Sequence, residues 1–501
     1  MFAHLPILII IFPLAIAFII IFLFKKYSPF LSIIGVTVSF ILLIRFAPFI
    51  HKGDELLYHL GGWQSPLGIS LSIDGLSFFF SFTVLLVGIM VILYSIPEKK
   101  YNHNYYFLLL LLLSSMIGVI FTADIFNIYI LFELVSIVTC LLVAYYQQRV
   151  ALRASFNYLL ISTVALSLFL LGVGSLYSMA GVLGISSISK QIPMIFAENP
   201  KIITVSLVLI LTSMGIKSAM VPMHGWLPDA HSLAPSSVSA ILSGVVVKLG
   251  IYCLIRLLYG LFIAGDYHGY FGSSLQLLMI FGAVNIIFGA MMALAQDDLK
   301  RMLAYSTIVQ IGVILIGISI NNTTGFEGAL FHIFNHALLK SGLFFCAGII
   351  TLQTGKRKIK DFAGYGEKNP FVALCFTILS LGIIGIPPMN GFVSKFLVCL
   401  SAVEEEHPVF AIIIIIGSLM TAAYFFRVIQ IFYSEPIQSD KNISTIDCEK
   451  SYLFQPRIFE LSPIFILTGI SIIMGIIPSL GLSIVSPAIK VIFSSLLPVL
   501  P

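Results

Sequence analysis

The chain consists of about fourteen long apolar segments separated by short polar stretches, and this feature restricts its fold more than any other. A segment of about 20 apolar residues is long enough to cross the hydrocarbon core of a bilayer as an α-helix. Only 10% of the 501 residues are charged and the mean hydropathy is +1.07, whereas a soluble domain is about 25% charged. We therefore predict an all-α polytopic membrane protein with about 14 transmembrane helices.

The predicted helices share a length that matches the bilayer core. They are expected near residues 5–24, 28–50, 73–96, 105–121, 124–146, 154–179, 202–221, 236–258, 272–294, 301–320, 327–351, 371–403 with a break, 408–433 and 459–482. The first has no basic residue before it and no small-residue cleavage site after it, so we expect a retained helix rather than a signal peptide. The chain is predicted to form one membrane domain.

Basic residues are distributed unequally between the two sides of this predicted topology. The loops on one side carry 17 Lys and Arg residues and those on the other carry 6, while the remaining four of the 27 lie within helices. Since cytoplasmic loops are enriched in Lys and Arg, the first side is predicted to be cytoplasmic. Both termini are then expected on the non-cytoplasmic side.

Two predicted helices are interrupted by proline and glycine close to a lysine. Helix seven combines Lys217 with Pro222, and helix twelve combines Pro387 and Pro388 with Lys395. The two are five helices apart, and a repeat with an odd number of spans inserts its second copy upside down. We therefore predict inverted repeats of helices 4–8 (residues 105–258) and 9–13 (residues 272–433), preceded by residues 1–104 and followed by helix 14 (residues 459–482). Paired broken helices indicate a transport site.

Four ionisable side chains fall at predicted membrane depth, namely Glu133, Lys217, Lys248 and Lys395. Such groups cost about 2.5–3.5 kcal/mol to insert and by default indicate ion or proton passage. Glu133 is the only carboxylate near the centre of a predicted helix, and Lys217 is its predicted partner. A facing pair keeps both groups charged, and its separation would release the proton of the amine. The alternative is a purely structural salt bridge.

His332, His336 and Lys340 recur at intervals of four residues on predicted helix eleven. This spacing places them on one helical face over about 12 Å, which suits a water-lined proton relay beyond Lys248 because histidine titrates near neutral pH. The alternatives are histidines that are merely hydrogen-bonded in the bundle and a Lys340 near the cytoplasmic surface. Zinc at the two histidines lacks a third ligand, so no metal is predicted.

Other polar residues give weaker signals. Ser306 and Gln310 form a polar face on helix ten, where Gln310 can order water but cannot titrate. His224, Asp229 and His231 are expected near the cytoplasmic side, either as a route for proton uptake or as a solvated cap. The six cysteines form no CxxC pair, and phosphate-binding and dinucleotide-binding motifs are absent. No cofactor or catalytic site is predicted, so an ion gradient or a partner complex must supply the energy.

Several motifs between residues 74 and 430 together carry a family resemblance. They are Gly215 to His231 with Ala234-Pro235, Ser239 to Lys248, Asp124 to Glu133, Leu303 to Ser306, Phe334 to Lys340, and Gly385 to Lys395. In combination they resemble the antiporter-like subunits shared by Mrp-type sodium/proton antiporters, respiratory complex I and membrane-bound hydrogenases. Lysine at positions 248 and 395 is most similar to the D subunit of the Mrp type. Gln310 departs from the histidine that the family often has on helix ten.

The resemblance implies a fourteen-helix fold in the cell membrane, with Glu133 and Lys217 as the charged pair, Lys248 as the central relay and Lys395 as the group nearest the outside. It also implies that the chain works with other membrane subunits. The predicted function is proton translocation in a multisubunit monovalent cation (Na+)/proton antiporter. The alternatives are a proton-pumping subunit of a complex I-like quinone oxidoreductase or hydrogenase, and a scaffold whose buried charges only set helix register.

Overall fold

The computed structural model describes residues 4–64, 67–98, 100–263, 268–435 and 458–494. Helices occupy most of this length. They are α1 Leu5–Phe22, α2 Ser28–Ile44, α3 Ala47–Lys52, α4 Gly75–Ser95, α5 His103–Phe121, α6 Ile125–Val143, α7 Arg149–Ala180, α8 Ile185–Glu198, α9 Pro200–Lys217, α10 Trp226–Leu233, α11 Ser236–Ile241, α12 Val247–Leu257, α13 His268–Leu294, α14 Leu299–Ser319, α15 Thr323–Thr354, α16 Tyr365–Lys368, α17 Pro370–Ile384, α18 Asn390–Glu404, α19 Pro408–Phe432, α20 Ile458–Ile476 and α21 Pro478–Ser494. Two π-helical segments, Leu242–Val246 and Leu258–Ile263, flank α12.

The predicted all-α membrane architecture is confirmed. Within the described ranges, 13 helical segments are long and apolar enough to cross a membrane. The predicted twelfth span falls outside this group because its two parts, α17 and α18, have only 15 residues each. Four helices lie wholly or largely outside the predicted spans, namely the short α10 and α16 and the longer α8 and α21. In α8, Ile185, Ile188, Ile192 and Ile195 bury one face of a stretch that reads as a polar loop, and α21 is short and contains Pro487.

Polar residues at the segment ends fix where several helices begin. The Asp74 carboxylate accepts a hydrogen bond from the backbone N–H of Ser77, whose hydroxyl in turn accepts from the backbone N–H of Asp74, forming a capping box before α4. Asp124 accepts from the backbone of Asn127 before α6, and Asn322 accepts from the backbone of Gly325 before α15. These side chains satisfy backbone groups that a helix start leaves unpaired.

A short antiparallel hairpin closes one end of the bundle. Strand β1, Leu56–His59, pairs with β2, Ser70–Ile73, in the register Leu56 opposite Ile73. An isolated bridge joins Leu71 of β2 to Thr122, which lies just before α6. The hairpin is thereby attached to the starts of α4 and α6.

The interior of the bundle is formed by the helices that carry most of the predicted polar residues. In Ser236–Ile263, Leu299–Ser319 and Thr323–Thr354, all residues of the most apolar 18-residue stretch are buried. In the corresponding stretch of Leu5–Phe22 only 28% of the residues are buried, and in that of Pro408–Phe432 only 33%. The outer helices therefore present apolar faces to their surroundings. Lys248, Ser306, Gln310, His332, His336 and Lys340 all belong to the enclosed segments.

Both helix breaks lie where the sequence predicts them. Helix α9 ends at Lys217, and a turn that includes Ala219 at φ +56° precedes α10. Helix α17 ends at Ile384, followed by Gly385 at φ +86°, and α18 begins at Asn390. Each turn contains a cis X-Pro peptide bond. The inverted relation between the two halves stays a prediction.

The second break requires a glycine at position 391. A Cβ on Gly391 would lie 1.9 Å from the backbone oxygen of Gly382 on α17. We expect Gly391→Ala to force α17 and α18 apart and to cost about 3 kcal/mol of stability. The thermal unfolding temperature of the solubilised protein should fall clearly. Gly469→Ala in α20, where a Cβ would meet nothing within 4 Å, is the control. Equal unfolding temperatures for the two variants would contradict the prediction.

Candidate functional site

Lys217 lies at the last turn of α9 and points towards α6. Its ammonium donates a hydrogen bond to the Ser136 hydroxyl at 2.6 Å, and the side chain is 5% exposed. The ammonium also lies 5.1 Å from the ring centre of Phe132 and 6.0 Å from that of Tyr158. Aromatic faces stabilise a cation that has been withdrawn from water, so this pocket suits a charged amine.

Glu133 lies one helical turn before Ser136 on α6 and is half-buried. Among the described residues the ion pairs closer than 4.0 Å do not include Glu133 and Lys217, although the two interact electrostatically. The direct contact of Lys217 is the Ser136 hydroxyl, whose role the sequence did not indicate. The ion pair of Glu133 and Lys217 therefore stays a prediction, and Ser136 is the residue that Lys217 contacts directly.

Lys248 follows the π-helical segment Leu242–Val246 and is 2% exposed. Its ammonium donates to the Ser243 carbonyl, and the Ser243 hydroxyl lies 2.8 Å from that of Thr307 on α14. Two residues further on, a Cβ on Gly250 would lie 3.1 Å from the carbonyl carbon of Lys217. The glycine therefore lets the Lys248 helix touch the end of α9. Single π turns are frequent at functional sites.

Lys340 is completely buried on α15. Its ammonium donates to the Leu303 carbonyl at 2.9 Å and to the Ser306 hydroxyl. The side chain is enclosed by the bundle and turns inward to α14, while its depth relative to the cytoplasmic surface stays a prediction. Ser306, a weak candidate in the sequence, is its direct partner.

His332 and His336 lie on the same face of α15, as the spacing predicts. Their rings are nearly parallel, with centres 6.2 Å apart. His332 is hydrogen-bonded to the Ser394 hydroxyl at 2.9 Å and to the Gln310 side-chain oxygen at 3.1 Å. His336 is fully buried, and neither ring nitrogen has a partner among the described residues. Buried polar atoms of this kind are usually satisfied by water, which fits a hydrated relay.

Lys395 on α18 turns back to the end of the preceding half-helix. Its ammonium donates to the carbonyls of Ile383 and Ile384 at 2.9 and 3.0 Å and to the Ser418 hydroxyl at 3.1 Å. The last carbonyls of a helix lack intrahelical partners and carry partial negative charge. Lys395 therefore caps α17 with a positive charge.

The predicted basic residues thus occupy one connected interior region. Lys248 and Lys340 are close enough to repel each other, and His332 is in electrostatic range of Lys395. Within the described part of the chain, no carboxylate forms an ion pair with these lysines, which are held by carbonyl and hydroxyl oxygens. A group of three potential metal ligands is also absent from that part. Such an arrangement can hold and exchange protons through water.

The three polar residues of the first break have different surroundings. Asp229 forms a surface ion pair with Arg301 at 3.4 Å, with its side chain 43% exposed. His224 is half-buried and packs edge-on against Phe288. His231 is completely buried near the Leu227 carbonyl, and neither ring nitrogen forms a hydrogen bond of good geometry in the described ranges. Of the three, only His231 belongs to the interior region, while Asp229 belongs to the surface.

A buried ion pair that the sequence pattern did not indicate lies at the opposite end of the Lys248 helix. Arg256 holds both oxygens of Asp74 at 2.5 and 2.9 Å and donates to the Tyr252 hydroxyl at 3.1 Å. Burial alone raises the pKa of Asp74, but the Arg256 charge and hydrogen bonds from Arg256 and Ser77 outweigh it and lower that pKa. The pair lines a cavity of about 420 Å³ beside the hairpin.

Removing Arg256 should destabilise the protein strongly. Arg256→Met leaves the Asp74 carboxylate, which is 4% exposed, without its counter-charge, and breaking a buried pair costs about 3–5 kcal/mol. The thermal unfolding temperature of the purified protein should fall sharply. The double variant with Asp74→Asn should recover part of the loss because no unpaired charge remains. A single variant as stable as the wild type would contradict this assignment.

Comparisons with known proteins agree with this architecture. Residues 122–421 match the family described as NADH:quinone oxidoreductase/Mrp antiporter, TM. The N subunit of the NADH-quinone oxidoreductase of Desulforudis audaxviator is 37% identical, over 86% of this chain and 87% of that protein. The D subunit of the Na(+)/H(+) antiporter of Bacillus subtilis is 30% identical, over 88% of each.

A solved structure is similar over nearly the full length. In the structure of the Mrp complex from Dietzia sp. DQ12-45-1b, one chain superimposes with a TM-score of 0.88 at 20% identity, and 99% of each chain is covered. At this identity the likeness shows the fold alone. The sequence match covers more than half of the chain and includes Glu133, the four interior lysines described above, His332 and His336. The chain therefore belongs to the NADH:quinone oxidoreductase/Mrp antiporter family of multi-pass membrane subunits.

Proposed function

We propose that the chain translocates protons as one subunit of a multisubunit monovalent cation (Na+)/proton antiporter. The observation that carries this proposal is the row of buried basic groups Lys217, Lys248, Lys340 and Lys395, which lack ion-pair partners among the described residues. Amines enclosed in this way are expensive in a membrane bundle and indicate a proton path. A scaffold gains nothing from them, since apolar residues pack at no such cost.

Glu133 and Lys217 form the switch in this proposal. When the carboxylate approaches, it stabilises the ammonium, and when it withdraws, the ammonium depends on the Ser136 hydroxyl and two aromatic rings alone. The amine then releases its proton towards Lys248, whose helix touches the end of α9 through Gly250. Ser136 keeps the amine oriented throughout.

Mutual repulsion moves the proton onward. Two ammonium groups at Lys248 and Lys340 disfavour each other, so protonation of the first promotes release from the second. His336 and His332 connect this region to α18, where His332 bonds to Ser394, the neighbour of Lys395. Lys395 serves as the terminal group on the non-cytoplasmic side. This direction rests on the bias of basic residues, which also puts both termini on that side of the cell membrane.

The second candidate is a proton-pumping subunit that obtains its energy from redox chemistry in an attached complex. Its support is the 37% identity to the N subunit of an NADH-quinone oxidoreductase, compared with 30% to the antiporter protein. It would use the same residues, but partner subunits would supply the driving force. In both cases the chain works beside other membrane subunits.

Everted vesicles that contain the chain with its natural partner subunits distinguish the two candidates. An antiporter dissipates a preformed pH gradient when Na+ is added, without any electron donor. A redox-driven pump ignores Na+ and acidifies the vesicles only when an electron donor is oxidised. The second result would overturn the antiporter proposal and favour the alternative.

A further inference from the structure

A row of hydrogen-bonded hydroxyl groups leads from Glu98 into the bundle. The Tyr146 hydroxyl donates to the Glu98 carboxylate at 2.7 Å and lies 3.4 Å from the hydroxyl oxygen of Tyr101. The Tyr101 hydroxyl lies 2.8 Å from that of Ser237. These four groups come from three places in the sequence, namely the loop between α4 and α5, the end of α6 and the start of α11, and the contacts bring these together.

This row of hydroxyl groups begins near the surface and ends in the interior. Glu98 is half-buried after the end of α4, on the face that the basic-residue bias predicts to be cytoplasmic, whereas Tyr101 is 7% exposed and Ser237 is completely buried. Ser237 opens the enclosed segment Ser236–Ile263, which carries Lys248 about three turns further on. The hydroxyl chain therefore points from the cytoplasmic face to the base of the Lys248 helix.

The two phenols remain protonated along this chain. Burial, reinforced by the negative charge of Glu98, raises the pKa of Tyr101 and of Tyr146 above the ordinary value. Neither group can therefore lose its proton outright near neutral pH. Each can only accept a proton on its oxygen while passing its own to the next oxygen, as in a hydrogen-bonded wire.

The inner end of this row of hydroxyl groups lies on α11, two residues before a serine that contacts a buried histidine. Ser239, two residues after Ser237, donates to the His231 carbonyl at 2.7 Å. The His231 ring is buried near the Leu227 carbonyl, and neither ring nitrogen forms a hydrogen bond of good geometry in the described ranges. His231 is also in electrostatic range of Lys248. Unsatisfied polar atoms in an interior usually hold water, which can bridge Ser237 and His231.

We propose that Glu98, Tyr146, Tyr101 and Ser237 form a proton-uptake branch that supplies His231 and Lys248. This inference rests on the proposed function. A protonated Glu98 gives its proton to the Tyr146 oxygen, the Tyr146 proton passes to Tyr101, and the Tyr101 proton passes to Ser237. Ser237 releases its own proton to the water beside His231. One O–H bond forms for each that breaks, so no hydroxyl keeps a charge, and rotation of the hydroxyls restores the starting state.

A purely structural reading is that the tyrosines only anchor the start of α11. Tyr105 separates the two readings. Its hydroxyl also donates to Ser237, at 2.9 Å, its ring stacks on Tyr101 with centres 4.0 Å apart, and it is completely buried. In the described structure its hydroxyl is bonded to Ser237 rather than to Tyr146 or Glu98, so it anchors Ser237 without belonging to the wire.

Tyr101→Phe and Tyr105→Phe are therefore compared in the complete complex in vesicles, with the initial rate of Na+-dependent proton movement as the readout. Loss of a proton-transferring group typically costs about 10²–10⁴-fold, and because water can partly replace a hydroxyl we expect about a tenfold loss for Tyr101→Phe. Tyr105→Phe should stay within about twofold of the wild type because anchoring hydrogen bonds are individually weak. Glu98→Gln should match Tyr101→Phe, and Glu98→Asp should retain most of the rate.

Equal losses in Tyr101→Phe and Tyr105→Phe would overturn the branch in favour of an anchor, and wild-type rates in both would remove any role for it. Wild-type and Lys217→Ala vesicles from the same preparation show whether a negative result concerns the uptake branch alone or the proposed function as well. If the wild type exchanges and Lys217→Ala does not, a wild-type rate for Tyr101→Phe rejects the branch alone. If the wild type itself shows no exchange, the proposed function and the branch fall together.

Discussion

Lys217→Ala is expected to abolish Na+-dependent proton exchange while the complex still assembles. The substitution removes the amine that faces Ser136, Phe132 and Tyr158 at the end of α9. No other amine contacts Ser136 in the described structure, so proton release towards Lys248 has no substitute donor. We expect the exchange rate to fall by about 100-fold or more, the range for removal of a proton-transferring group. The rate of pH-gradient dissipation in everted vesicles measures it.

Lys201→Ala provides the matched control for this variant. Lys201 lies near the start of the same helix and is exposed, so its loss removes the same charge from α9 without touching the interior. It should exchange at the wild-type rate. Ser136→Ala should give an intermediate, several-fold loss because the amine keeps its aromatic surroundings but loses its hydroxyl partner. Substantial exchange by an assembled Lys217→Ala complex would refute the role of Lys217.

The second large effect is expected for Lys248→Met, which replaces the central amine by an apolar side chain of similar length. The rate should again fall by about 100-fold or more because the proton from Lys217 finds no acceptor. The thermal stability of the variant, in contrast, should not decrease. An ammonium held only by carbonyl oxygen costs free energy to bury, and apolar replacement of buried charge is often neutral or stabilising. The solubilised complex should therefore unfold at the same or a higher temperature.

This combination separates a proton relay from a scaffold. If Lys248 only set the register of α12, its replacement would lower the unfolding temperature. The exchange rate per folded complex would then stay at the wild-type value. Cys253→Ala controls for packing on the same helix, since Cys253 is completely buried and uncharged. That variant should keep its exchange rate even if it unfolds slightly earlier. A Lys248→Met complex that is less stable but fully active would reject the relay.

The fold was largely predictable because the bilayer imposes one length and one polarity on each span. The breaks were equally clear, since proline combined with glycine beside Lys217 and Lys395 disfavours a continuous helix. The two longer helices outside the predicted spans, α8 and α21, do not follow this pattern. Helix α8 buries only one apolar face, and α21 is short and has proline inside it. Periodicity carries less information in such segments than hydropathy does in a full span.

The site was predictable in its charges but not in its partners. Sequence indicates that Lys217, Lys248 and Lys340 need an explanation, because each is a cation in an apolar segment. It does not indicate that serine hydroxyls or backbone carbonyls receive them, because serine is common in membrane helices and every residue has a carbonyl. Asp74 and Arg256 were overlooked for a related reason. Each lies near the end of its span, where charged residues are common, and only the fold brings the two together.

The contact of Lys395 with the end of α17 ties protonation to the shape of the backbone. The carbonyls of Ile383 and Ile384 have the ammonium as a hydrogen-bond donor, and a neutral amine that turned away would leave both oxygens for solvent to satisfy. Discharging this lysine should therefore admit water to the gap between the half-helices, and recharging it should expel that water. Under the proposed function, the protonation state of Lys395 would then control the hydration of this gap without movement of a whole helix.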